Sequence, residues 1–164
     1  KVQVLKRNNF PVVGIGKIED IFAGRGITKA IHTKDNQDGT ACLSQELSTT
    51  REGLIFVNLV DFDMVYGHRN NVEGYARALK DFDSYLPELL PLIKPEDVLI
   101  ITADHGCDPT HPGTDHTREY VPLLVYNPVI PSRNLGTRKT FADAAVTILH
   151  VFGLSHSLPG TKFS

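Results

Sequence analysis

The chain has no Trp, one Met and only two Cys, Cys42 and Cys107. Two thiols far apart in sequence, with no C-x-x-C, argue against a disulfide framework and for free thiols in a reducing compartment. No excess of positive charge is present; the formal net charge is −2. That speaks against non-specific nucleic-acid binding, which needs a basic face. No apolar run approaches the ~20 residues that span a bilayer, and no secretory signal pattern opens the chain. Neither an internal repeat nor a low-complexity stretch occurs. The expectation is a cytoplasmic protein with no nucleic-acid or membrane partner. An initiating Met is also missing: the chain opens at Lys1 with a strand-like V-Q-V-L, which reads as a piece cut from something longer.

What is present suits one globular domain. The 164 residues are 41% apolar and 22% charged, ordinary values for a domain with a real core. Four short runs rich in Val, Ile and Leu read as buried strands: Pro11–Gly16, Leu54–Val60, Val98–Ala103 and Val121–Tyr126. Their nearly continuous apolar character fits a parallel sheet covered on both faces. From Asn71, the residues Val72, Tyr75, Ala76, Leu79, Phe82, Leu86, Leu89, Leu90 and Ile93 follow helical spacing. Asn70 or Asn71 can cap that helix, and Pro87 should kink or end it near Leu86. Thr140 can cap a last helix with core positions Phe141, Ala144, Ala145, Ile148, Leu149 and Phe152, ended by Gly153. Glu19–Ala23 and Cys42–Ser48 read as shorter helices, Lys34–Gly39 and Asn127–Arg138 as linkers. The alternation predicts an α/β layered fold, a mostly parallel sheet flanked by helices.

Ligands of such sheets gather beyond the carboxyl ends of the strands. Asp63 and His68 follow the second run, in D-F-D-M-V-Y-G-H-R. Asp104 and His105 follow the third, and His116 lies eleven residues on, in A-D-H-G-C-D-P-T-H-P-G-T-D-H-T. Carboxylates with neutral imidazoles suit Mn or Zn. Five candidate ligands exceed what one catalytic ion uses, so two ions clamping a phosphate are the natural reading. Asp104 and His105 are adjacent, and would point apart on a strand; they can converge only where Gly106 breaks it. Each cluster alone is a weak signal. Asp61 competes with Asp63, and one of them can simply cap a turn. His111 reads as solvated, His32 as surface, His150 as part of the last helix and His156 as a tail residue. Cys107 is a loop-packing residue first, a ligand or nucleophile second. Lys17, in G-I-G-K, lacks P-loop spacing, yet a Lys between a strand and a helix start is placed for a phosphate. Arg118, beside His116, can hold a phosphate or pair with Glu119 or a ligand Asp, and the ion pair is the expectation.

The segments V-D-F-D-M-V-Y-G-H-R-N, T-A-D-H-G-C-D-P-T-H-P-G-T-D-H-T-R-E and T-F-A-D-A-A-V-T-I-L closely resemble bacterial phosphopentomutase, of the alkaline-phosphatase superfamily, from about Pro11 to Gly153. The resemblance implies interconversion of ribose (or 2-deoxyribose) 1-phosphate and 5-phosphate through a phosphothreonine, with a bisphosphate sugar as intermediate and activator. It implies two Mn ions: Asp63, His68 and His116 on one, Asp104 and His105 on the other, with an upstream Asp and the Thr nucleophile. Lys17 resembles a substrate-contacting Lys. The family's N-terminal strand, its nucleophilic Thr and its inserted cap have no match here. The expectation is therefore that residues 1–164 are the C-terminal part of the metal-binding core, with one site fully liganded, no catalytic nucleophile and no activity alone. Its partners would be the missing N-terminal segment and a sugar phosphate. Thr110 and Thr117 are nearby hydroxyls that nothing marks as substitutes. Two alternatives are another metal-dependent phosphatase or sulfatase of the superfamily, and a non-catalytic metal-binding module.

Overall fold

The structure is a computed structural model and describes residues 2–163. These form two compact units, Val2–Pro128 and 129–163.

In the first unit, β1 (Val12–Ile15) is the centre of a three-stranded sheet. It pairs in parallel with β2 (Lys29–Ile31) on one side and β3 (Leu54–Val57) on the other, Val13 lying opposite Lys29 and Ile55. A central parallel strand must bury both faces, and all four residues of β1 are buried. Helices α1 (Val2–Arg7), α2 (Ile18–Ile21) and α3 (Asn36–Thr49) pack against it. Leu5, Val12, Ile15 and Ile18 are among the fully buried side chains, each contributing roughly 1.5–3 kcal/mol by leaving water. The α/β class with a parallel sheet and flanking helices is thus as the apolar runs predict.

Several details differ from the expectation. V-Q-V-L lies in helix α1, not in a strand: Val2 and Leu5, three apart, share a buried face. The stretch Lys34–Gly39 is not a linker. Asp35 caps α3 by accepting from the Asp38 amide at 2.8 Å, so the helix extends well ahead of Cys42. β2 has no apolar run to announce it, because Lys29 sits in it. Its Nζ reaches Glu46 Oε1 on α3 at 2.6 Å.

Helix α4 (Val72–Leu89) is capped by Asn71, which accepts from the Gly74 amide at 2.9 Å. Its apolar face is narrower than the spacing suggested: Ala78 and Leu89 are buried, while Val72, Ala76 and Leu79 are exposed. Pro87 does not stop the helix near Leu86; the helix runs on to Leu89 and tightens into a 3-10 turn at Leu90–Leu92. Strands β4 (Leu99–Thr102) and β5 (Leu123–Tyr126) form a separate antiparallel pair, Ile100 opposite Val125. The parallel expectation fails there because no crossover helix lies between them, and an antiparallel pair needs none.

The second unit carries α5 (Ala142–Val151). Thr140 does serve its start, its hydroxyl accepting from the Ala142 amide at 3.1 Å. Gly153 ends it at φ +66°, its amide bonding to the His150 carbonyl at 2.9 Å. The buried face is rotated from the expected one. Leu149 is buried, but so are Val146, Asp143 and Thr147, whereas Phe141 is 62% exposed. The two polar residues are satisfied by the chain on either side of the helix. Asp143 accepts from the Thr161 amide at 2.9 Å and from Arg138 Nε at 2.7 Å. The Thr147 hydroxyl accepts from the Phe163 amide at 2.9 Å.

The Thr161 amide first, and then the Arg138 guanidinium, hold the Asp143 carboxyl below the usual carboxylate range. A depressed acid stabilises the fold above its unfolded value and stops doing so as it is protonated. Hydrogen-exchange protection of α5 should therefore be full at neutral pH and fall away below about pH 4. Asp143→Asn should be less protected at neutral pH and lose that acid dependence.

Candidate metal centre

The parallel strands β1 and β3 end on one rim. Beyond β1, Gly16 turns the chain at φ +78°, where a Cβ would stand 2.4 Å from the Asn58 carbonyl oxygen after β3. Lys17 follows, exposed, with its ammonium against the Met64 sulfur. Lys17 is thereby drawn to the turn that carries Asp63.

That turn is a π-helical segment, Phe62–Gly67. The His68 amide closes it on the Asp63 carbonyl at 2.9 Å. Residues five apart on an α-helix point about 140° away from one another; winding the chain wider lets positions i and i+5 face the same way. Asp63 and His68 meet for this reason, His68 Nε2 lying 3.1 Å from Asp63 Oδ1. Gly67 is required inside the turn, since a Cβ there would meet the Cys107 sulfur at 2.2 Å. Asp61, the competitor, does the bland task. It accepts from the Asn36 amide at 2.8 Å and its own amide donates to Asn36 Oδ1 at 3.0 Å, anchoring the turn to the start of α3.

The loop beyond β4 closes over this turn. Asn70, at φ +51°, donates to the His111 carbonyl at 2.9 Å. His116 Nε2 comes within 3.2 Å of the same Asp63 Oδ1. The donor atoms of Asp63, His68 and His116 all lie within 4.8 Å of one another. Metal–ligand bonds of about 2.0–2.2 Å place neighbouring donors about 3.0–3.5 Å apart. The two Asp63–imidazole separations, 3.1 and 3.2 Å, have that spacing, and one carboxylate with two imidazoles is a donor set suited to a divalent cation. The Thr114 carbonyl contacts His68 Nδ1. A carbonyl only accepts, so Nδ1 carries the proton and Nε2 is left to face Asp63 or an ion, the usual outer-sphere arrangement of a metal-binding His.

Asp104 and His105 lie just past the end of β4, where the strand has given way to a bend. His105 Nε2 is 3.6 Å from Asp104 Oδ1, and its Nδ1 donates to the Gly106 carbonyl at 3.0 Å. Its ring stacks on His116 with centroids 3.6 Å apart. All five candidate ligands are therefore neighbours, but only three converge tightly. The Asp104 side chain is 78% exposed.

Cys107 packs on Gly67, and its thiol donates to Asp63 Oδ1 at 3.7 Å. Burial first, then the Asp63 charge, pushes that thiol up, which suits its packing role against Gly67. Cys42 and Cys107 are both free. Arg118 forms no ion pair among the described residues: Glu119 instead accepts from the Thr117 hydroxyl at 2.5 Å. His111 is exposed, His32 is an exposed partner of Glu19 at 3.2 Å, His150 lies on α5, and His156 lies in the tail beyond it. The spacing of residues did not reveal the supporting groups: the Thr114 carbonyl, the π winding and Asn70. Gly67 was the only signal for the turn.

The family model of the Metalloenzyme superfamily matches residues 11–156. The chain belongs to the Metalloenzyme superfamily. Among its relatives, the phosphopentomutase of Caldanaerobacter subterraneus subsp. tengcongensis is 58% identical over 163 residues, covering 99% of this chain and 42% of that protein. The phosphopentomutase of Carboxydothermus hydrogenoformans is 60% identical over 151 residues, 92% of this chain and 39% of that protein. The chain thus spans about 40% of the length of these relatives. The PH0037 protein of Pyrococcus horikoshii shares the fold, with a TM-score of 0.69 at 14% identity over 95% of this chain and 46% of that one. No helix among the described residues is long and apolar enough to cross a membrane.

If the three donors act as one site, His116→Ala should weaken Mn binding by more than the roughly 10–100-fold that loss of an outer-sphere partner costs. His111→Ala, exposed and outside the group, should leave the affinity unchanged. Isothermal titration on the purified chain reads both.

Proposed function

We propose that residues 1–164 are the C-terminal metal-binding part of a phosphopentomutase core domain. That enzyme would interconvert (deoxy)ribose 1-phosphate and 5-phosphate in the cytoplasm, an isomerase of nucleoside catabolism. One observation carries the reading. Asp63, His68 and His116 meet around a single carboxylate oxygen, in a segment 58% identical to a phosphopentomutase.

Asp63, His68 and His116 would hold one Mn ion. Asp104 and His105 would contribute to a second, whose remaining ligands would come from an N-terminal part of the enzyme. A divalent cation in such a site supplies charge neutralisation to a transferring phosphoryl group and to an entering oxygen. The chain's own residues do the rest. The Thr114 carbonyl fixes the His68 tautomer. Lys17 stands on the rim with its ammonium beside the Asp63 turn, placed to bind a sugar-phosphate oxygen as a point charge. In this reading the nucleophile would be a Thr in an N-terminal part of the enzyme, which would carry the phosphoryl group, with a bisphosphate sugar as activator. The open sheet edges agree with an absent partner segment. Among the described residues, β3 pairs only with β1 and β4 only with β5, and Phe56 and Leu124 are exposed.

The test joins this chain to the N-terminal part of the Caldanaerobacter relative. The chimera, with Mn and a bisphosphate sugar, should convert ribose 1-phosphate to ribose 5-phosphate; Asp63→Ala should lower turnover by at least about 10²-fold, and the chain alone should show none. Release of inorganic phosphate in place of the isomer would make the enzyme a phosphatase, and robust turnover by the chain alone would contradict the proposal.

A further inference from the structure

The two halves of the metal centre are joined by a clasp that the proposed chemistry does not use. Gly106, next to His105, and Thr117, next to His116, form an antiparallel bridge. The Thr117 amide donates to the Gly106 carbonyl at 3.1 Å. The Thr117 hydroxyl works in both directions: it accepts from the Asp108 amide at 2.7 Å and donates to Glu119 Oε2 at 2.5 Å. The Glu119 carboxylate lies over Gly106, where a Cβ would stand 2.4 Å from Oε2. Glycine is thus what lets the carboxylate close on the bridge. Between the two ends, His111–His116 is exposed and holds Pro112 and Gly113. Asn70, the Thr114 carbonyl and Asp63 tie this loop to the π turn; the clasp is what ties its His116 end directly to the His105 end.

We propose that Thr117 and Glu119 are positioning residues that lock the Asp104–His105 arm to the His116 arm and so set the spacing of the two cation half-sites. The inference rests on the reading of those residues as metal ligands. It assigns the Thr117 hydroxyl a role distinct from that of a nucleophile: both its bonds are to protein, and it acts on the ligands through the backbone. An Asp108 amide and a Glu119 carboxylate can be joined only by a group that accepts and donates at once, as a hydroxyl does. Ser retains that capacity and Val, of similar shape to Thr, does not.

The test uses the full chain with Thr117→Val, Thr117→Ser and Glu119→Ala, and two readouts. Without metal, the carbon-bound imidazole protons of His105 and His116 should show ring-current shifts from the stack in the wild type. These should collapse in Thr117→Val and Glu119→Ala and persist in Thr117→Ser. With metal, Mn affinity should fall roughly tenfold or more in Thr117→Val and be rescued in Thr117→Ser. Should Thr117→Val fail to fold, Glu119→Ala, a change at an exposed residue, carries both readouts. Unchanged imidazole shifts and Mn affinity would overturn the clasp, as would a Thr117→Ser that behaves like Thr117→Val. A wild-type chain that binds no Mn would sink the metal reading, while the metal-free shifts would still decide the clasp.

Discussion

Asp63 Oδ1 lies 3.1 Å from one imidazole nitrogen and 3.2 Å from another, and the cysteine thiol of the neighbouring loop donates to it as well. Three side chains, from the π turn and from the ligand loop, converge on one carboxylate oxygen. The meeting is electrostatically reasonable when a proton or a cation lies between the groups, and a divalent cation answers all of them at once. The surrounding structure can be understood as what places that oxygen. The parallel sheet aims the ends of β1 and β3 at one rim. The Asp61–Asn36 pair fixes the start of the π turn, and the turn brings Asp63 and His68 to the same side. Asn70 and the Thr114 carbonyl then draw the ligand loop down so that His116 arrives from above.

The two clusters of candidate ligands are unequal. Three donors are drawn together within β3's exit and the ligand loop, whereas Asp104 and His105 form only a loose pair with an exposed carboxylate. The chain spans about 40% of the length of these phosphopentomutase relatives, and under the proposed function the looser pair would share its ion with residues from another part of the enzyme. The coupling between the halves is physical, a ring stack and a hydroxyl-centred clasp. Their spacing is therefore built into this portion of the chain.

Much of this was legible in the residues. β1 and β3 lie within two of the four apolar runs, since buried parallel strands carry no alternation to blur them. The Asp-His pair beyond β4 was readable as lying past a strand end, but the strand already ends at Thr102, and Gly106, the expected breaker, itself bridges to Thr117. Other features were hidden for definite reasons. β2 carries Lys29, which a buried Glu46 neutralises, so no hydrophobic signal marks it. Asp143 and Thr147 face inward on α5 because the tail after it satisfies them, a pairing no periodicity announces. The π winding adds one residue to a turn without altering composition. The antiparallel β4–β5 pair is a separate sheet, and its apolar runs look like those of β1 and β3; only the missing crossover helix between them tells the difference.

The central claim is that a divalent cation sits between Asp63, His68 and His116. Anomalous scattering from a crystal soaked in Mn tests it most directly. A strong peak about 2.0–2.2 Å from Asp63 Oδ1 and from both Nε2 atoms, with any second peak near Asp104 and His105 weaker, is the predicted result. No peak among the three side chains, with the imidazoles turned away from Asp63, would contradict the account.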